Sequence, residues 1–400
     1  MAGDTPVDGP PDARGVGRVC HHDRMLQTLA VAGYRSLRDV VVPLGGLTVI
    51  TGPNGSGKSN LYRALRLLAA AARGEVVGAV AREGGLPSVL WAGPENGGTQ
   101  GTVRRGPIAL RLGFSSDELG YLIDLGIPQS DPSVANPFAR DPEIKREQVF
   151  AGPVAKPAAL LIDRRRQSTR VREGGWTELD QRLAPYESIV TDLADGDTAP
   201  ELLALRRTMG AWRFYDHFRV DAEAPARRPQ VGTRTQTLSH DGATLAATWA
   251  TIVDAGHGDA LDRAVRDAFP GSRVEVQANE GLFRLVLHQS GLLRPLEAAE
   301  LSDGTLRYLL LCAALLPARP APLLVLNEPE ASLHVSLLAP LARLIQHAAQ
   351  HTQVLVVSHA RELVEALPAT ARVELRKDQN GTAVVGQGFM DVPAWHWGSR

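Results

Sequence analysis

Apolar and polar positions alternate through "LQTLAVAGY" and "DVVVPL" near the start of the chain, which predicts two strands. The run "LTVI" at 47–50 is apolar throughout, as in a short strand buried on both faces. A Gly-rich loop follows. "SNLYRALRLLAAAARG" then sets Leu61, Leu65 and Leu68 at helical spacing and stops at Arg-Gly. Residues 75–155 are punctuated by Gly and Pro, with strand-like pieces in "VRRGPIALRLGF" and "GYLIDLGIP". "PSVANPFARDPEIKRE" reads as a loop leading into a short helix, 158–174 as a hairpin, and 186–219 as helical. A polar connection at 219–236, two Gly-closed helices and a strand meander come next. The C-terminal part has an α/β rhythm: helix 305–316, strand 323–327, helix 332–349, strand 353–357, helix 360–366 and a hairpin. No internal repeat or long heptad run is present.

An apolar content of 44% against 22% charged residues fits a folded chain, and 400 residues can bury a large core. The formal net charge of −1 excludes a polycation, so any nucleic-acid contact needs a local basic patch. Only four of the 43 basic residues are Lys (58, 145, 156 and 377), so a Lys inside a motif stands out. Cys20 and Cys312 form no CxxC pair, against a disulfide framework or zinc ribbon. Cys312 reads as a core residue. "CHH" at 20–22 lies in a Gly-, Pro- and Asp-rich stretch without an apolar h-region, read as a disordered extension. No apolar run reaches ~18 residues, so no membrane span is expected.

Four motifs carry chemistry. "GPNGSGKS", Gly52 to Ser59, fits G-x-x-x-x-G-K-S between a strand and a helix, the context a phosphate loop requires. Gly52, Gly55 and Gly57 let the backbone turn its N–H groups toward phosphate oxygens, and the helix start adds partial positive charge. Lys58 would neutralise phosphates and Ser59 would give its hydroxyl to Mg²⁺. "ELSDGTLRYLLLCAALL" sets Ser302, Asp303 and Gly304 before an apolar helix, as an anion cradle or a plain N-cap. "LLVLNEPEASLH" delivers Asn327 and Glu328 to a strand end, where parallel sheets place ligands. "VLVVSHA" does the same with His359, which would meet a γ-phosphate or be a satisfied core histidine.

Taken in this order, the motifs resemble ABC-type ATPases of the RecF/SMC/Rad50-like branch. "AGYRSLRDVVVPLGGLTVITGPNGSGKSN" is similar to the start of that branch, and the likeness runs from about residue 25 to 395. The resemblance implies an α/β P-loop NTPase: an ABC-type head with mixed sheets and an inserted α+β/helical lobe. The expected division is an extension at 1–24, the first part of the head at 25–74, an inserted lobe at 75–296 and the rest of the head at 297–400. It implies ATP and Mg²⁺ as ligands, held by Gly52, Pro53, Asn54, Gly55, Ser56, Gly57, Lys58, Ser59 and Asn60. Glu328 would be the general base, His359 the switch residue and Asn327 a water-mediated metal ligand. Ser302 and Gly304 would reach the γ-phosphate on a second subunit, with Ser332 and His334 at the same interface of an ATP-dependent homodimer. Gln129 is a candidate for the family's Q-loop, against a reading as an ordinary loop glutamine. A cytoplasmic setting in DNA repair, chromosome maintenance or defence against foreign DNA follows from the resemblance. So does a protein partner, the output of a rival reading as a slowly hydrolysing switch.

Two departures stand out. Asp303 and Thr305 make the signature unlike LSGGQ, and Asn327 replaces the usual Asp. A carboxylate about 4 Å from a divalent cation matters by several kcal/mol at an effective dielectric of roughly 20, before solvation. Asn keeps an oxygen but loses that charge, so weaker Mg²⁺ retention or slower turnover is expected, with Glu328 carrying hydrolysis. For DNA, Arg164, Arg166, Arg170 and Arg172 would cluster on one hairpin face, against a reading as a solvated hairpin, and "PARRP" at 225–229 is a second basic loop. About forty residues follow His359, so an appended nuclease domain is not expected.

Overall fold

Three sheets build the chain, in a computed structural model that describes residues 25–93, 109–128, 136–196, 199–388 and 391–398. The central sheet runs in the order Arg213–Tyr215, Leu323–Asn327, Gln353–Val357, Leu47–Thr51, Arg372–Asp378, Gly381–Val384. Its first five strands are parallel and the last turns back antiparallel. An eight-stranded antiparallel sheet runs Leu37–Pro43, Leu26–Tyr34, Ala109–Ser116, Leu119–Gly126, Glu143–Ala151, Leu160–Arg165, Ser168–Glu173, Gly175–Glu178. A small sheet joins Gln230–Val231, Leu282–His288, Arg273–Asn279 and Leu296–Glu297.

The uninterrupted apolar runs are explained by two cores, one on each face of the central sheet. Ile50, Val325, Leu355 and Val357 enter the core shared with the eight-stranded sheet and helix Lys58–Ala71. Their neighbours Val49, Leu324, Leu326, Val354 and Val356 enter a second core. That core is filled by helices Leu245–Asp254, Asp303–Leu315 and Leu338–Ala348. Leu61, Leu65 and Leu68 are fully buried, so helix Lys58–Ala71 is pinned behind the loop it follows. Residues 75–296 contribute strands to all three sheets.

Three elements differ from the sequence reading. Residues 143–151 form a strand, not a helix, because their charges are buried in pairs and disguise the alternation: Arg146 with Asp163, and Glu147 with Arg164. Within the expected helical stretch 186–219, Arg213–Tyr215 is an edge strand paired to Leu324–Leu326, preceded by buried Trp212. The helix expected from 332 begins at Leu338, because Glu328 and Ser332 take φ of 49° and 63° and turn the chain first. The segment 1–24 with "CHH" and Gln129 lie outside the described residues.

The four-arginine face is also corrected. The hairpin turns through Arg166 and Gln167, with Arg166 at φ 56°, and this sets Arg164 opposite Thr169 but Arg170 opposite Asp163. Arg164 therefore points inward. It is fully buried and donates to Glu147 (2.7 Å) and to the Ala184 carbonyl (2.8 Å). Glu147 also accepts from Tyr121 and Ser188 (2.6 Å each) and from the Ile189 N–H (3.0 Å). Arg170 pairs with Asp163 and lies over the Trp176 ring, and Arg172 donates to the Ala158 carbonyl. Burial alone would raise the Asp163 carboxyl, but Arg170, Arg146 and Arg165 outweigh it and hold it below its ordinary 3.8. Its contribution to stability is therefore full above that value and is lost as pH falls through the lowered one.

Arg164→Met leaves Glu147 as an uncompensated buried charge and should cost about 3–5 kcal/mol. Urea unfolding measures this; a loss below ~0.5 kcal/mol would return Arg164 to the surface role expected from sequence.

Candidate nucleotide site

Strand register brings the motifs to one edge. Ile50 pairs with Val357, and Val357 with Asn327, so the loop after Thr51, the Ser358–His359 turn and Asn327–Glu328 leave the central sheet side by side. This is the carboxyl edge of a parallel sheet, where ligands bind.

The loop's glycines are required by what surrounds them. Gly52 has φ 140°, and a Cβ there would sit 2.2 Å from the Leu375 carbonyl oxygen. Gly57 has φ 106°, and its Cβ would meet Thr382 Oγ1 at 2.5 Å and Ser36 Oγ at 3.0 Å. Those two hydroxyls brace the loop. Thr382 Oγ1 donates to the Ser56 carbonyl (2.8 Å) and lies 3.0 Å from Ser36 Oγ. Asn60 Nδ2 donates to that same Ser36 oxygen (2.9 Å), so the Asn60 side chain serves the loop's shape. Ser36 Oγ thus gives its own proton to Thr382.

The residues fit a phosphate chain with Mg²⁺. Helix Lys58–Ala71 starts at Gly57 with no side-chain cap, so among the described residues its first N–H groups are left without a capping side chain at the loop. Lys58 is buried and its Nζ donates to the carbonyls of Gly52 (2.6 Å) and Pro53 (3.0 Å). Burial lowers its ammonium below the ordinary value, and Glu328 and Glu330 oppose that shift. Ser59 is exposed, as are Pro53, Asn54 and Gly55. The Asn327 Oδ1 is buried without a hydrogen-bond partner among the described residues, an open acceptor of the kind a metal-bound water would satisfy.

Glu328 occupies the left-handed region at φ 49°, a conformation an ordinary side chain rarely takes without being held there. Its N–H donates to the Val357 carbonyl (2.8 Å), and its own carbonyl accepts from Ala331 (3.1 Å) and Arg307 Nη2 (3.1 Å). The partly exposed carboxylate lies 3.6 Å from His359 Nδ1, which is 3.7 Å from Glu330 Oε1. Glu330 and Arg307 escaped the sequence reading. A lone Arg in an apolar helix and a second carboxylate in Asn-Glu-Pro-Glu were the available signals. Burial pulls the Arg307 guanidinium below its ordinary value, opposed by Glu330 and then Glu328.

Ser302 caps helix Asp303–Leu315, accepting from the Thr305 N–H (3.2 Å), so the plain-cap role is realised. Arg227 fixes this turn through Asp303 (2.7 Å) and the Leu301 carbonyl (2.7 Å), which removes it from the second basic loop; Arg228 there pairs with Glu223. A Cβ on Gly304 would lie 3.1 Å from the Ser332 carbonyl oxygen, so the signature turn and the Ser332–His334 segment adjoin. Arg164, Arg170 and Arg172 sit on another sheet, with Arg166 in the turn that joins its strands.

A phosphate loop, a carboxylate strand and a histidine turn on one parallel edge define a P-loop ATPase head. Residues 47–365 match the family described as "AAA domain, putative AbiEii toxin, Type IV TA system", and the chain belongs to it. A stretch of 44 residues is 50% identical to the OLD nuclease of Thermus scotoductus, covering 11% of this chain and 8% of that protein. The chain therefore spans only a small part of that relative's length. An SMC head, solved bound to the C-winged helix domain of ScpA, is similar over 90% of this chain and 97% of its own, with TM-score 0.50 and 15% identity. That likeness shows an ABC-type head fold. An SMC head domain from Thermotoga maritima covers 90% of this chain and 98% of its own at TM-score 0.46 and 16% identity. Among the described residues no helix is long and apolar enough to cross a membrane.

Gly57→Ala should abolish nucleotide binding, because its Cβ would push Thr382 and Ser36 off the loop. Binding of a fluorescent ATP analogue measures it; affinity within about threefold of wild type, under ~0.7 kcal/mol, would mean the brace does not shape the loop.

Proposed function

We propose that the chain binds ATP with Mg²⁺, hydrolyses it, and cycles between a monomer and an ATP-bound homodimer. One observation carries this reading: the register that sets the phosphate loop, Glu328 and His359 at one sheet edge. Gly52–Asn60 would hold the phosphates through backbone N–H groups, with Lys58 leaving its two loop carbonyls to meet them. Mg²⁺ would neutralise phosphate charge there, held by Ser59 and, through water, by Asn327. Glu328 would take a proton from the attacking water as the bond from the γ-phosphorus to the bridging oxygen breaks, and His359 would face the γ-phosphate. Ser302 and Gly304 would complete the site of a second copy, beside Ser332 and His334.

The likeness to an OLD nuclease and to SMC heads supports a setting in DNA repair, chromosome maintenance or defence against foreign DNA. The arginine hairpin gives no support to direct DNA contact, since Arg164 is buried and Arg170 is paired. A protein partner is the more economical link, as for the SMC head solved with ScpA. Asn327 favours a second reading, a slow nucleotide switch whose output is partner binding.

Glu328→Gln should lower steady-state hydrolysis by at least about 10²-fold, keep ATP binding, and raise the ATP-bound mass to that of a dimer in light scattering. Undiminished hydrolysis would refute the base assignment. Asn327→Asp should tighten Mg²⁺ in the ATP complex by about tenfold, roughly 1.4 kcal/mol. Unchanged Mg²⁺ dependence would remove Asn327 from the metal's surroundings.

A further inference from the structure

Two buried charges next to the site have no role so far. Glu330 is 8% exposed and Arg307 is 3% exposed. Glu330 Oε1 accepts from Ser358 Oγ (2.7 Å), the His359 N–H (3.1 Å) and the Ala360 N–H (3.2 Å), while Oε2 has no partner among the described residues. Arg307 Nη2 donates to the Glu328 carbonyl (3.1 Å), and its Nε has none. The two groups come from different elements. Glu330 follows strand Leu323–Asn327, and Arg307 lies one turn after Ser302–Gly304 on helix Asp303–Leu315.

Half-satisfied buried charges are costly, and apolar side chains would fill the same space more stably. The rest of that helix does so, with Leu306, Leu309, Leu310 and Leu311 all buried. Arg307 instead touches the backbone of Glu328, a non-glycine residue held at positive φ, and Glu330 holds the backbone of the histidine beside it. The Glu330 carboxylate, and after it Glu328, opposes the cost of burying the Arg307 guanidinium.

We propose that Arg307 and Glu330 are positioning residues that tie the signature helix to the hydrolytic pair: Arg307 sets the Glu328 backbone and Glu330 sets the His359 turn. This rests on the ATPase reading above. Engagement of Ser302 and Gly304 with a second copy's nucleotide is then transmitted through Arg307 to the aim of the Glu328 carboxylate in the same chain.

Amide hydrogen exchange and ATPase kinetics on the full chain test it, with Arg307→Lys, Arg307→Met, Glu330→Gln and the double change Arg307→Met/Glu330→Met. Glu330→Gln should speed exchange at 358–360, and Arg307→Met at 328–331, by about tenfold, with helices 58–71 and 303–315 within about twofold of wild type. In both, kcat should fall by about tenfold or more with KM within about twofold, and Arg307→Lys should recover part of it. The double change removes both buried charges, so it should fold at least as well as either Met or Gln variant yet stay slow. Unchanged exchange at both turns, or loosening of helix 303–315 as a whole, overturns the proposal. So does a double variant with wild-type turnover. If the wild type hydrolyses no ATP, the ATPase reading fails, and the exchange results still decide whether the two residues hold these turns.

Discussion

The register of three parallel strands is the constraint on which the rest depends. Ile50, Val357 and Asn327 lie in one hydrogen-bonded row, and each strand ends within a residue or two of a chemical group. A slip of one residue would exchange the two faces of a strand and send its apolar side chains to the wrong core. Because alternate residues serve separate cores, packing on both sides fixes the register that the site needs. Precision at the edge is thus a by-product of burial in the middle, and the site is preorganised by elements that cannot easily move.

Around that edge, polar groups do what packing cannot. Ser36, Asn60 and Thr382 shape the loop from three separate parts of the chain. Gly57 is small because Thr382 and Ser36 occupy the space a side chain would take. On the other side, Arg307 and Glu330 put buried charge against the two turns bearing Glu328 and His359. The signature turn is stiffened by Arg227, a residue that the sequence presented as part of a basic surface.

Much of this was legible beforehand. Strands 47–51, 323–327 and 353–357 show themselves as apolar runs, and Gly52–Ser59 as a pattern with a mechanism. The misread charges share one cause: their partners are distant in sequence. Arg146 and Glu147 made a strand look like a helical turn, because Asp163 and Arg164 cannot be seen as their partners without the sheet. Arg164 seemed a surface cation until the two-residue turn placed it opposite Thr169. Arg307 and Glu330 were missed for the same reason, since one Arg in an apolar helix carries no local mark of what it touches. Burial of a charge is a tertiary fact, whereas a phosphate loop is a local one.

The most direct measurement is a crystal structure with Mg²⁺ and a non-hydrolysable ATP analogue. The expected result places the triphosphate along Gly52–Ser59, Lys58 Nζ moved from the Gly52 and Pro53 carbonyls onto phosphate oxygens, and Glu328 and His359 facing the γ-phosphate. A triphosphate bound elsewhere, or Lys58 still on its loop carbonyls with Glu328 turned from the γ-phosphate, would contradict the account.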